Sequence, residues 1–229
     1  MVIGNGLIAS HFKSYNNDEK VLIFASGVSN SSEANDFEFL RELNLVKEMI
    51  GKYNSAKFIY FSTLSINDSS VSYRPYVKHK LIIEKHLFNY CKNFLIIRVS
   101  NVVGSSKNKN TMLNFFINAI KNNAPIEIWK NAERNLIDIE DLFIISDKII
   151  KTQEFNNQVI NIASSKNLTV FTIIKEVEKF LNLKANINIV NKGSKLLIDL
   201  TTIKEQLKLI EAKKGSGKEY LSYLLKKYY

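Results

Sequence analysis

Cysteine is nearly absent from this 229-residue chain, and its one copy, Cys91, can neither close an internal disulfide nor build a thiolate metal cluster. A reducing cytoplasm is the compartment that fits. Long apolar runs are missing too: none approaches the roughly 20 residues of a membrane-spanning helix. The first residues lack the basic-then-apolar layout of a secretory signal. The three histidines, His11, His79 and His86, do not cluster, so a histidine metal site is not expected. There are no internal repeats and no long disordered segment. What is present is an ordinary globular composition, 45% hydrophobic and 24% charged, in a chain long enough for one good core with a small appended lobe.

The formal charge of +10 raises the question of nucleic acid. The lysines, however, are scattered among asparagines and isoleucines along the whole chain. The short cluster Ser105, Ser106, Lys107, Asn108, Lys109, Asn110 lacks the interleaved aromatics of a base-stacking surface. No nucleic-acid partner is expected, and the same charge would favour a small substrate bearing phosphate.

Strand and helix patterns alternate through the first half. Met1, Val2 and Ile3 form a short apolar start, followed at once by Gly4, Asn5, Gly6, Leu7, Ile8 and Ala9, a G-x-G-x-x-A turn that opens a helix. Such a turn suits a pyrophosphate at a helix start, and by itself it also describes a simple turn. Residues 20–27 read as a buried parallel strand ending in Ala25, Ser26 and Gly27. Residues 36–52 have helical periodicity, with Phe39, Leu40, Leu43, Val46 and Ile50 on one side. Residues 57–63 form a further strand that ends in the hydroxyls Ser62 and Thr63. A helix over 76–90 follows Pro75, and a strand over 93–99 leads to Asn101 and Gly104. This order indicates a parallel α/β sheet.

Beyond Gly104 the polar stretch 105–110 marks a boundary between a domain over 1–105 and a lobe over 106–229, with part of 134–165 returning to the first sheet. The lobe reads as a helix over 112–121, a strand over 125–129, a stretch over 134–142 that leads into a helix to about 151, a strand over 158–163 and an amphipathic helix over 170–183. A last helix turns Leu221, Leu224 and Leu225 inward. Gly215, Ser216, Gly217 and Lys218 form a loop before that helix, since a phosphate loop would need an earlier glycine and a hydroxyl after the lysine.

Tyr76 and Lys80 are four residues apart, so a helix puts both on one face. A cation beside a phenol favours the phenolate, which proton exchange near neutral pH requires. On spacing alone the pair also describes a solvated helix face.

Taken in order, these pieces resemble the extended short-chain dehydrogenase/reductase family, in particular its NAD-dependent nucleotide-sugar epimerases, dehydratases and reductases. The family's phosphate loop resembles residues 4–12, its catalytic hydroxyl strand Ser62 and Thr63, its Tyr-x-x-x-Lys Tyr76 and Lys80, its Arg-x-x-Asn-x-x-Gly residues 98–104, and a further arginine motif residues 134–141. The resemblance implies a Rossmann-like α/β fold and NAD or NADP held by Gly4, Asn5, Gly6, Leu7, Ile8, Ala25, Ser26, Gly27 and Lys80. It implies Tyr76 as general acid/base, with Lys80 holding the nicotinamide ribose and lowering the tyrosine pKa. Thr63, with Ser62 as second choice because it should point to the other face, would bond the sugar oxygen undergoing redox change. Asn101 would touch substrate and Arg134 would grip its diphosphate, although an asparagine also caps turns and an arginine also serves as a surface residue. A cytoplasmic homodimer in surface-polysaccharide synthesis is implied as well.

Two departures shape the expected activity. Only residues 13–19 separate the first helix from the 20–27 strand, so the family's second strand-helix-strand element is missing and the first strand falls near a sheet edge. Leu64 and Ser65 stand where the dehydratases carry an acid and a base, which argues against water elimination. Reduction of a keto sugar nucleotide is the expected reaction. Epimerisation is the alternative, as is a non-redox sugar-nucleotide-binding relative that has lost its dinucleotide. Asn135 replaces the family's aspartate after the arginine.

Overall fold

The structure is a computed structural model. It describes every residue except Lys107 and Gln153, so the polar boundary stretch 105–110 lies partly outside the described residues. The chain divides into two compact units: one of Met1–Ile66, Val71–Val99 and Phe143–Ile162, the other of Asn67–Ser70, Ser100–Leu142 and Ala163–Tyr229. Among the described residues, no helix is long and apolar enough to cross a membrane.

The first unit is built on β1 (Val2–Ile3), α1 (Leu7–His11), β2 (Val21–Phe24), α2 (Asp36–Lys52), β3 (Lys57–Thr63), α3 (Pro75–Tyr90) and β4 (Phe94–Val99). Further along the chain, β5 is Asn101–Val103, α4 Met112–Lys121, β6 Pro125–Trp129, β7 Glu133–Arg134, β8 Leu136–Asp138, α5 Ile139–Thr152 and β9 Gln158–Ile162. The first unit's sheet runs β1-β2-β3-β4-β9, and every neighbouring pair is parallel. This is a Rossmann-like sheet without its second strand-helix-strand element: β2 pairs directly with β1, which is left as an edge.

Both faces of the sheet are buried, which is why its strands read as continuous apolar runs. Leu22, Phe24, Phe58, Tyr60, Phe94 and Ile96 pack with Val46 and Met49 of α2 and Ile83 and Leu87 of α3. On the other face Phe61 meets the ring of Phe12 edge-on at 5.2 Å, and Phe12 meets Phe143 at 5.1 Å. Helix α2 starts at an Asn35 side chain that accepts from the Phe37 amide, with Asp36 and Glu38 favourably placed in its first turn. Its buried stripe is Glu42, Val46 and Met49, and Leu40, expected inside, is 56% exposed.

The remaining elements are β10 (Leu168–Thr169), α6 (Val170–Leu181), β11 (Asn186–Val190), α7 (Lys204–Lys214) and α8 (Lys218–Tyr228). In the second unit β5 pairs with β8, β6 with β11, and β7 with β10. Its core is formed by α4, α6 and α8, through residues such as Ile117, Ile173, Leu221 and Leu224. Asp138 and Asp141 are buried against charge partners: Lys214 and Lys227 reach Asp138, Lys214 reaches Asp141, and Tyr220 donates to Asp141 at 2.6 Å. Burial works to raise the Asp138 carboxyl, but hydrogen bonds from Tyr228 and Lys227 outweigh it and hold it below the usual range.

Gly4 shows why the start of the chain takes this form. Its φ is +125°, and a Cβ there would lie 2.5 Å from the Ala25 carbonyl oxygen at the end of β2. Gly4→Ala should therefore lower stability by roughly 1–3 kcal/mol, measured as a shift of the urea unfolding midpoint.

Candidate active site

Helix α3 begins with Pro75, whose fixed φ and missing N–H suit a first turn. Its buried stripe holds Tyr76, His79, Lys80 and Glu84 beside Val77, Ile83 and Leu87. Ionisable groups are stable in such a stripe only when paired. The pairing comes from two carboxylates.

The first is Glu42 of α2, which is fully buried and receives four groups. Its Oε1 takes the Tyr60 hydroxyl at 2.6 Å and the Lys80 ammonium at 2.9 Å, while its Oε2 takes the Val28 amide at 2.7 Å and lies 3.0 Å from His79 Nε2. All four acceptor positions of the carboxylate are thereby used. Burial alone would raise this carboxyl, but Lys80, His79, Tyr60 and the Val28 amide outweigh it and hold Glu42 well below the usual carboxylate range. Burial, with Glu42 alongside, pushes the Tyr60 phenol well above its ordinary value. Phe39 stacks on His79 at 4.6 Å and fixes the ring.

Lys80 also donates to the Tyr60 hydroxyl at 3.1 Å, and its side chain is 2% exposed. Its Nζ lies 5.8 Å from the centre of the Tyr76 ring, within cation–π range. Tyr76 itself packs with Val28 and Val77. Gly27 lies directly over the pair: a Cβ there would be 2.8 Å from both Glu42 Oε1 and Lys80 Nζ. The neighbouring Arg41 donates to the Ser26 carbonyl through both terminal nitrogens at 3.3 Å.

The second carboxylate is Glu84. It accepts from Ser62 Oγ at 2.6 Å and pairs with Arg98 through two bonds, of 3.0 and 2.6 Å. Ser62 is therefore engaged with α3, and alternation along β3 turns Thr63 to the other face, where its Oγ1 accepts from the Ser65 amide. Thr63, Tyr76 and Lys80 thus all belong to the first unit, as do Ala25, Ser26 and Gly27. Gly4, Asn5 and Gly6 are exposed ahead of α1, which is only five residues long, and Leu7 and Ile8 form its first turn.

Asn101 and Arg134 belong to the second unit. The Asn101 side chain donates to the Asn135 carbonyl at 2.8 Å. Arg134 Nη1 donates to Asp68 Oδ2 at 3.0 Å, and Asp68 in turn accepts from Ser194 and Ser70. Asn135 shows what an amide adds at its position. Its oxygen accepts from the Ser164 amide and hydroxyl while its nitrogen donates to the Ser164 carbonyl, and a carboxylate could not donate.

Sequence reasoning missed Glu42, Tyr60, Glu84 and Asp68. A signal for Glu42 existed: it falls three residues after Phe39 and four before Val46, a charge inside an apolar stripe.

Residues 21–163, more than half of the chain, match the model of the NAD dependent epimerase/dehydratase family. The chain belongs to that family. The match begins after the glycine turn. Three solved structures of family type show the same fold. UDP-glucuronic acid 4-epimerase from Bacillus cereus, solved with UDP-glucuronic acid and NAD, is 18% identical, with a TM-score of 0.67 over 91% of this chain and 79% of its own. dTDP-4-dehydrorhamnose reductase from Bacillus anthracis, solved with NADP, is 15% identical, with a TM-score of 0.67 over 96% and 85%. dTDP-glucose 4,6-dehydratase from Bacillus anthracis, solved with NAD, is 13% identical, with a TM-score of 0.68 over 98% and 79%. A comparison with curated protein sequences found no match.

The Glu42 cluster sets two measurable properties. Lys80→Met, which leaves a buried carboxylate without its cation, should destabilise the chain by about 3–5 kcal/mol, and adding Glu42→Gln should recover most of the loss. Because the folded-state pKa of Glu42 is depressed, its contribution is complete above the ordinary value of 4.5 and is lost as pH falls toward the folded value. Urea midpoints taken at about pH 6 and about pH 3 should therefore fall further in the wild type than in the double variant.

Proposed function

We propose that this chain acts on a nucleotide-activated sugar, as a reductase of a keto sugar nucleotide that uses NAD or NADP. The observation carrying this reading is that Thr63 and Tyr76 stand where β3 ends and α3 begins, at the carboxyl end of a parallel sheet, where open α/β sheets take their ligands. Leu64 and Ser65 offer no acid and base for dehydration.

The chain's own residues divide the work. Thr63 hydrogen-bonds the carbonyl oxygen of the sugar, and Tyr76 gives that oxygen its proton, then recovers one from solvent. NADH or NADPH supplies the hydride when bound. In the second unit, Arg134, held by Asp68, and Asn101 are the candidates for contact with the diphosphate and the sugar. The dinucleotide finds a fit at one end only. Gly4, Asn5 and Gly6 are exposed, and a Cβ on Gly6 would meet nothing within 4 Å, so a pyrophosphate has room there. Lys80 does not fit the ribose-holding part, since its ammonium is buried on Glu42 and Tyr60. No step is therefore assigned to Lys80.

That same ion pair favours a second reading, a relative that binds sugar nucleotides without redox turnover. The two readings separate in one assay. Mixed with NADPH or NADH and a keto sugar nucleotide, a reductase lowers the cofactor absorbance, and Tyr76→Phe should cut the rate at least about 100-fold with an unchanged melting temperature. A full rate in Tyr76→Phe would remove Tyr76 from the mechanism. Binding of the sugar nucleotide without any absorbance change would favour the second reading.

A cytoplasmic homodimer, working in surface-polysaccharide synthesis, belongs to the same proposal. The dimer is supported by apolar side chains left exposed on α2 and α3, among them Phe37, Leu40 and Ile82. Ile82→Glu should move the protein from dimer to monomer in light scattering.

A further inference from the structure

We infer that Glu42 is a positioning residue that withholds the Lys80 ammonium from bound ligand, so that a dinucleotide is held without a lysine bond to its ribose. The inference rests on the reading that a dinucleotide approaches at the glycine turn, and it concerns what this chain does with the family's lysine there.

Four observations carry it. Lys80 Nζ bonds Glu42 Oε1 and the Tyr60 hydroxyl, at 2.9 and 3.1 Å. Gly27 covers the ammonium so closely that even a methyl group would collide with it. The backbone on both sides of Gly27 is held by consecutive residues of α2, Arg41 on the Ser26 carbonyl and Glu42 on the Val28 amide. The carboxylate that holds the lysine is itself fixed by His79, Tyr60 and the Val28 amide. Drawing Lys80 out to a ribose diol would leave a buried carboxylate without its cation. One hydrogen bond to a neutral diol does not offset that loss.

Glu42 is the charge that keeps the ammonium in this buried position beneath Gly27. An uncharged glutamine keeps the shape and the Tyr60 contact but no longer holds a cation. The ammonium then gains more from a ligand hydroxyl than from its protein surroundings.

The test is calorimetric titration of NADH and NADPH into wild type, Lys80→Met, Glu42→Gln and the double variant, each checked by circular dichroism and a melting curve. Lys80→Met should change the affinity by less than about threefold, whereas Glu42→Gln should tighten it about tenfold or more, or bring into range a binding too weak to measure in wild type. The double variant should return to the wild-type value. A loss of about tenfold in Lys80→Met or in the double variant overturns the inference, as does a folded Glu42→Gln that binds no more tightly than wild type. If a single variant fails to fold because of its unpaired buried charge, the double variant decides: wild-type affinity supports the inference and a loss of about tenfold overturns it. A UDP-sugar and a dTDP-sugar titrated into the same wild-type sample test the proposed function separately. Failure to bind either sinks that function and leaves the lysine result standing.

Discussion

A single buried carboxylate, Glu42, determines how the candidate site is arranged. It joins α2 to β3 through Tyr60, to α3 through His79 and Lys80, and to the loop after β2 through the Val28 amide. A carboxylate with no exposure is stable only when its acceptor positions are filled and its charge is balanced, and here both conditions are met. The cluster therefore behaves as one unit. Removing any member leaves another buried and unsatisfied, which couples the stability of the fold to the geometry around Tyr76.

The sheet beside this cluster is short at one edge. In a full Rossmann-like sheet further strands lie beyond β1, whereas here β1 is a two-residue edge that pairs only with β2. Gly4 packs closely against Ala25 at the end of β2. Arg41 and Glu42 hold the loop at residues 26–28 from the other side.

Much of the fold was legible in the sequence because its strands and long helices are strongly patterned. The 36–52 helix has the bounds that periodicity indicates, since Asn35 caps it and its apolar spacing is regular. Short pairings such as β7 with β10 carry too few residues to leave a period. Helix α7 leaves no apolar period to read, because it buries only Leu207 and is otherwise a polar stretch. Apolar periodicity puts Leu40 on the inner face, whereas Glu42 takes the inner position and Leu40 turns out. In the site, Tyr76, Lys80 and Thr63 were readable as residue types in order. The partners of Lys80 were not, because a glutamate on one helix and a tyrosine on a strand meet it only in three dimensions.

Two neighbouring choices in the sequence are resolved in the same way. Of the hydroxyls Ser62 and Thr63, the first is bound to Glu84, which also holds Arg98, while the second lies on the opposite face. Of Tyr76 and Lys80, the second is bound to Glu42 while the first packs against Val28 and Val77. In each case a carboxylate on a helix takes one polar group into the interior. The groups so taken, Ser62 and Lys80, strengthen the scaffold because they are charged or hydrogen-bonded where water is excluded. Thr63 and Tyr76 are the two candidate hydroxyls without an acidic partner of this kind. That division, made by Glu42 and Glu84 rather than by the family's signature residues, supports the proposal that Tyr76 transfers the proton and Thr63 bonds the substrate.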